Sequence, residues 1–308
     1  MHMAEQRHLS DPALRGTLLH DEPMRRHVSW RAGGAAALVY VPADLHDLAA
    51  FLRTLPDGEP IYFVGLGSNL LVRDGGYRGT VVRLHSSHAL ICMQRGFIYA
   101  EARAASPKVA RYAANHAYAG AEYLAGIPGT VGGALAMNAG CYGSETWDGV
   151  ARVLMVNRAG GLRQRTPQDF DIGYRHVALK NGELGRDEWF AAAWFRFDSG
   201  DSALARSRIR DLLQERIRSQ PLDLPNAGSV FRNPPGDHAA RLIEASGLKG
   251  FSIGGASVSE KHANFIVNRD RRASAADIEN LIEHVRNVVL QKQGVALAPE
   301  VRIIGERA

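Results

Sequence analysis

The sequence predicts an α+β protein: two packed units that share a ligand, followed by a third, C-terminal α+β unit. Three observations carry this. Short strand-like apolar runs alternate with stretches of helical period between residues 28 and 198. Two glycine-rich loops interrupt that pattern. A charged helix then begins near residue 200 and ends at Pro221 and Pro225, which break the chain after it. At 308 residues the chain is long enough for two or three domains and a substantial core.

Residues 1–27 are polar and irregular. The small residues of 28–37 lead into a strand ending at Val41, and Leu45, Leu48, Ala49 and Leu52 recur at helical spacing after Pro42. A Pro56-Asp57-Gly58 turn returns the chain to the strand Ile61–Val64. Residues 81–84 and 97–100 read as strands. Ser106-Pro107 starts a helix to about Ala119, with the serine as N-cap and the proline at the first helical position. Residues 150–156 and 162–166 form a hairpin around Asn157-Arg-Ala-Gly-Gly161, and Trp189–Phe197 supplies another strand.

From Asp201 to Ser219 the helix shows a rough apolar stripe of Leu204, Ile209, Leu212, Leu213 and Ile217. Beyond it come a helix at 237–247, strands at 251–258 and 263–267, a long helix from Ser274 to about Gln293, and a strand at 295–304.

Hydrophobic residues make up 45% and charged residues 22%, the balance of a soluble globular chain. No apolar run approaches the ~20 residues that span a bilayer. The start Met1-His-Met-Ala-Glu-Gln-Arg7 lacks the apolar core of a signal peptide, so a cytoplasmic location and no membrane partner are expected. Two cysteines, Cys92 and Cys141, make no disulfide framework. The net charge of +5 favours anionic ligands, but the 37 basic residues are spread along the chain, which argues against a nucleic-acid partner. His85, His88 and Cys92 lack a fourth ligand, so no metal is expected. A G-x-S-x-G elbow, a Walker loop and H-E-x-x-H are all absent.

Chemistry concentrates in the loops. Ala125–Gly140 carries five glycines in sixteen residues with no charge, a composition that brings backbone N–H groups close to a flat or phosphorylated ligand. Its companion, Gly65-Leu-Gly-Ser-Asn-Leu-Leu71 after the strand Ile61–Val64, resembles a dinucleotide fingerprint but has Leu70 where the third glycine belongs. The two loops are therefore expected to share one large phosphate-bearing ligand. The proline-framed segment 221–235 holds Asn226, Ser229, Arg232 and Asn233. Gly173-Tyr174-Arg175 offers a fixed cation beside a phenol, suited to a carboxylate or phosphate. Glu300 falls in an apolar strand, where it either pairs with Arg302 on the same face or reaches into a site.

Six blocks in order, 65–71, 125–140, 173–175, 226–234, 260–268 and 299–305, resemble the UDP-N-acetylenolpyruvoylglucosamine reductases of bacterial cell-wall synthesis, in their shorter form. The resemblance covers roughly residues 28 to 305. It implies an FAD-binding fold of the vanillyl-alcohol-oxidase (PCMH) type in two subdomains, 28–84 and 85–200, after an N-terminal extension 1–27. A C-terminal α+β substrate-binding domain, 201–308, follows, its last strand free to pack back on the FAD domain.

Noncovalent FAD would be held by Gly65, Leu66, Gly67, Ser68, Asn69 and Leu70 from the first loop. The second would supply Gly126, Ile127, Pro128, Gly129, Thr130, Gly132, Gly133, Asn138, Ala139 and Gly140. The implied reaction is reduction of the flavin by NADPH and of UDP-N-acetylglucosamine enolpyruvate by the flavin, giving UDP-N-acetylmuramate. By motif position Ser229 is the proton donor, and Arg175 and Glu300 stabilise the enolate. Tyr174, Asn226, Arg232, Asn233 and His262 would contact the UDP-sugar.

A monomer serving peptidoglycan synthesis, and with it cell shape and division, is implied. Two positions depart from the family pattern: Val177, where a serine is usual, and Ala298, where an acid is common. Two readings stand beside this one: another FAD oxidase or dehydrogenase of the same fold, and a nonenzymatic flavin- or nucleotide-sugar-binding protein.

Overall fold

The computed structural model describes residues 14–308, and its first unit is built on a four-stranded sheet. Strand β1 (Thr17–Pro23) pairs antiparallel with β2 (Ala35–Val41). Helix α1 (Leu45–Thr54) starts where the Asp44 carboxylate accepts the Asp47 N–H, then β3 (Ile61–Val64), β4 (Leu70–Val72) and β5 (Tyr77–Arg83) follow. In the sheet order β1-β2-β5-β3 the β2–β5 and β5–β3 pairs are parallel, the βαβ arrangement that one crossover helix dictates. Residues 1–13 of the expected N-terminal extension lie outside the described residues. Residues 17–23, read as irregular, are instead an edge strand whose charged residues hide its period.

The second unit is an antiparallel sheet ordered β9-β8-β12-β7-β6. Its strands are β6 (Ile91–Gln94), β7 (Phe97–Glu101), β8 (Val150–Asn157), β9 (Leu162–Arg165) and, after the hairpin β10 (Phe170–Gly173) and β11 (His176–Leu179), β12 (Glu188–Phe195). Helix α2 (Ser106–Asn115) ends earlier than expected. Its cap is Ala105 with no side-chain bond, and Ser106 is already helical with its hydroxyl buried and unpartnered. The second glycine loop contains a helix that the glycines concealed, α3 (Val131–Met137), capped by Thr130 Oγ1 on the Gly133 N–H and closed by left-handed Asn138. One core joins α1, α2, α3 and the inner sheet face.

In the C-terminal unit, α4 (Ser202–Ser219) is capped by Asp201 and buries only Ala205 and Ile209. The expected stripe is largely at the surface, with Leu204 58% and Ile217 60% exposed. Helix α5 (Ala239–Ala245), the small sheet β13 (Ser252–Ile253), β14 (Ala256–Val258) and β15 (Ile266–Val267), and helix α6 (Ala275–Gln293) follow. Of the expected strand 295–304 only β16 (Arg302–Ile304) is regular, and it adds parallel to β4 of the first unit.

The first and third units interlock. Trp30 is fully buried in the C-terminal core, and its indole N–H donates to the Ile266 carbonyl at 2.8 Å. Asp74 accepts the first two N–H groups of α6 at 3.0 and 2.9 Å, meeting the demand every helix start creates. Arg73 grips Glu279 bidentately. No described helix is long and apolar enough to cross a membrane.

Candidate active site

Both glycine loops open on one cavity of about 650 Å³, within the range of small-molecule and cofactor sites. The first loop is held by the Ser29 N–H on the Gly67 carbonyl. A side chain at Gly67 would overlap the His27 carbonyl, and its φ of +62° is one that L residues avoid. The second loop is tied to the end of β7 and the start of α2: Val131 N–H donates to Ala104, Gly132 N–H to Ala102 and Ser106 N–H to Gly129.

Gly129 differs from Gly67. A Cβ built there meets only Ser68 Oγ at 3.5 Å and Ile127 Cγ2 at 4.0 Å, so the space it would take belongs to the cavity. The first N–H groups of α3 are already taken by Ala104, Ala102 and Thr130 Oγ1, so what this loop offers that space is room beside small residues rather than free donors. The lining carries Arg175, Arg216 and Arg302 against one carboxylate, Glu300, and one wall holds the stacked pair Phe63 and Trp189, 4.7 Å apart. Positive, partly aromatic and backbone-lined, the cavity fits an anionic dinucleotide such as FAD.

Three chemically active groups from distant segments line the same cavity: Ser229, Arg175 and Glu300. Arg175 sits at the turn between β10 and β11 with a left-handed φ of +53°, a conformation that costs a non-glycine residue roughly 1–2 kcal/mol. Its guanidinium donates from Nε to Glu300 Oε1 at 2.9 Å, from Nη1 to the Asn138 carbonyl at 3.2 Å and from Nη2 to the Gly140 carbonyl at 2.8 Å. Of five N–H donors, two remain.

Each partner side chain is only 15% exposed. Burial pushes the Glu300 carboxyl above the usual carboxylate range, while Arg175 and then Arg232 pull it back. Glu300 thus pairs with Arg175 rather than Arg302. Its backbone is pinned by the Glu300 N–H on Val230 and by Asn69 Nδ2 on the Glu300 carbonyl at 3.2 Å. The chain just after Ser229 is fixed by buried Asn264, whose side chain takes the Phe231 N–H at 3.0 Å and donates to the Phe231 carbonyl at 2.8 Å.

Residues 65–70, 126–130, Gly132, Gly133, Ala139 and Gly140 all line the cavity. Six expected site residues do not. Asn138 is 2% exposed and spends its amide on Glu145, Gly173 and the Trp147 N–H; only its carbonyl acts at the site, on Arg175. Asn233 caps α5 through the Ala239 N–H. Asn226 orders its own loop, bonding Pro221, Leu224 and the Gly228 N–H. Tyr174, 47% exposed, lies under the Arg175 guanidinium. His262 packs edge-on against Phe265, and burial lowers its pKa. Arg232 is held with its Nε buried and unpartnered.

The sequence reading missed Arg216, Arg302, Tyr142 and Cys141 in the lining. Arg216 lay among the many charges of the helix expected from Asp201 to Ser219, although its distance of four residues from Gln220, which accepts its Nε at 2.9 Å, is a helix-face signal. Of the two departures, Val177 packs against the core and Ala298 contributes a carbonyl to the Arg232 N–H. No group of three metal-binding side chains occurs among the described residues.

Residues 36–166 match the family model of the FAD binding domain, and residues 220–304 match that of the UDP-N-acetylenolpyruvoylglucosamine reductase C-terminal domain. The chain is 57% identical to the UDP-N-acetylenolpyruvoylglucosamine reductase of Thiobacillus denitrificans over 96% of this chain and 94% of that one. It is 56% identical to that of Nitrosospira multiformis, over 96% and 90%. The crystal structure of UDP-N-acetylenolpyruvylglucosamine reductase from Thermus caldophilus superposes with a TM-score of 0.79 at 28% identity, covering 94% of this chain and 99% of that one.

Proposed function

This chain belongs to the UDP-N-acetylenolpyruvoylglucosamine reductase family, and from that premise we propose that Ser229, Arg175 and Glu300 carry its chemistry. The protein is an FAD- and NADPH-dependent oxidoreductase that reduces UDP-N-acetylglucosamine enolpyruvate to UDP-N-acetylmuramate for peptidoglycan precursor synthesis. The division of labour follows the units: 28–84 and 85–200 hold the flavin, and 201–308 closes on the UDP-sugar. On the same reading the enzyme works in the cytoplasm as a monomer, and its product supports cell shape and division.

FAD held by the two glycine loops would supply the hydride once reduced by NADPH. Hydride reaches the terminal carbon of the enolpyruvyl double bond, and the electron pair moves toward the carbon beside the carboxylate. That carbon then takes a proton, so hydride plus proton saturate the bond. The observation that supports the catalytic assignment is the bond between Arg175 Nε and Glu300 Oε1 in the wall of the cavity that Ser229 also lines. The two spare N–H donors of Arg175 meet the growing enolate charge. Glu300 shares in that stabilisation by holding the Arg175 guanidinium in place through the Nε–Oε1 bond. Ser229 gives its hydroxyl proton to the carbon and regains one from solvent. Groups fixed before the reaction contribute most where charge develops.

A flavin oxidase of the same fold acting on another substrate has no use for all three groups together. Ser229→Ala tests the roles: the flavin should bind and bleach with NADPH at the wild-type rate, while reoxidation by the enolpyruvyl substrate in stopped flow slows about 10²- to 10⁴-fold. Near-normal reoxidation removes Ser229 from the mechanism.

A further inference from the structure

Beside the main cavity lies a second chamber of about 350 Å³ that shares Leu66, Ser68, Pro128, Arg216 and Gly228 with it. Three guanidinium-bearing residues, Arg31, Arg216 and Arg271, line this chamber, opposed by one acid, Asp223. None of the three arginines is within ion-pair distance of a carboxylate among the described residues. Arg31 donates to the Arg26 carbonyl at 3.2 Å, and Arg216 to Gln220 at 2.9 Å and to the Gly126 carbonyl at 2.7 Å, all neutral acceptors. Burial pulls the Arg216 pKa down, as expected of a cation short of counter-charge. Arg31 and Arg271 both hold left-handed backbone, with φ of +60° and +57°. Arg31 and Arg271 reach the chamber from the exposed surface and Arg216 from a half-buried position, and planar guanidinium forks match phosphate oxygens.

We infer that this side chamber receives a phosphate group of the nucleotide that visits the flavin, with Arg31 and Arg271 as its contacts and Arg216 as the wall between chamber and cavity. The inference rests on the reading that the cavity serves NADPH and a UDP-sugar. Those two ligands are the two sources of such a phosphate: the 2′-phosphate of NADPH and the diphosphate of the UDP-sugar. The chamber's position against Leu66 and Ser68 makes it an extension of the flavin site rather than a separate surface feature.

The test uses full-length, flavin-loaded protein carrying Arg31→Gln, Arg271→Gln or both. Binding of NADP⁺ and of UDP-N-acetylmuramate is followed by isothermal titration calorimetry, with the KM for NADPH and NADH measured in parallel. The double variant should keep its 450 nm flavin absorbance and weaken one ligand at least about tenfold, the loss that removing charge-assisted hydrogen bonds brings. Weakened NADP⁺ with an unchanged KM for NADH identifies the 2′-phosphate. Weakened UDP-N-acetylmuramate identifies the diphosphate. The Arg→Lys counterparts, which keep the charge, should recover part of the affinity.

Both dissociation constants staying within about twofold of wild type, a scatter of ~0.4 kcal/mol, overturns the inference, as does a defect confined to flavin retention. Wild-type protein that binds neither ligand sinks the functional reading instead.

Discussion

Gly129→Val separates a ligand-facing glycine from a structural one. At Gly129 an added Cβ meets two atoms, at 3.5 and 4.0 Å, which is ordinary contact, and the backbone is not left-handed. The apoprotein should therefore accept valine with a stability change under about 1 kcal/mol. The γ-methyl groups then extend into the cavity. Overfilling a packed space costs about 1–3 kcal/mol, so FAD should bind roughly 5- to 150-fold more weakly.

Gly67→Val is the opposite case. It forces a β-branched residue into φ +62° and onto the His27 carbonyl. The left-handed conformation alone costs about 1–2 kcal/mol, and the carbonyl overlap requires the 27–28 backbone to move, for a total near 3 kcal/mol. At about 2–4 °C per kcal/mol the apoprotein midpoint should fall by roughly 6–12 °C. The assay is the ratio of 450 to 280 nm absorbance after gel filtration, together with thermal unfolding of flavin-stripped protein, because bound ligand raises the midpoint by mass action. A Gly129→Val protein with full flavin content, or one whose apo midpoint drops as far as that of Gly67→Val, would refute the assignment of that space to the cofactor.

Two further outcomes follow from charge and burial. Glu279 is held below the usual carboxylate range by hydrogen bonds from Arg73, so the pair's stabilisation is fully present above the unfolded carboxylate value and is lost as pH falls through the folded one. Glu279→Gln should therefore cost about 2 kcal/mol in urea unfolding at neutral pH, and the gap should narrow below about pH 4; a gap independent of pH contradicts this. Cys141 is pushed up to about 11 by burial, so iodoacetamide at about pH 8 should alkylate it about a hundredfold more slowly than a free thiol. Mass spectrometry of folded and urea-unfolded protein checks it, and equal rates would show that the thiol is not suppressed.

The βαβ start, the 150–166 hairpin and α6 were legible because each obeys one local rule: a period, a turn dipeptide or the Ser274 capping box. Helix α3 was not, since Gly132 and Gly133 depress helix propensity and the helix forms because Thr130 caps it and Ala134 and Leu135 are buried. Strand β1 was hidden because an edge strand needs no continuous apolar face. The stripe on α4 misled for the converse reason: apolar residues at helical spacing do not reveal whether a core lies opposite them. At the site, the identities of Ser229, Arg175 and Glu300 came from motif position, but Arg216, with no motif of its own, required the fold.

What no local rule could show is that cradle and cation are one piece. Asn138 ends α3 in the left-handed conformation. Its amide bonds the Gly173 carbonyl at 3.1 Å, fixing the turn that carries Arg175, while its own carbonyl and that of Gly140 take the Arg175 guanidinium. The C-terminal end of the glycine-rich segment therefore aims the Arg175 guanidinium, and the N-terminal end faces the cavity. Glu300 closes the arrangement from the other side, its carbonyl held by Asn69 of the first glycine loop. A shift of either loop therefore moves the charged pair with it, through side-chain hydrogen bonds to main-chain carbonyls.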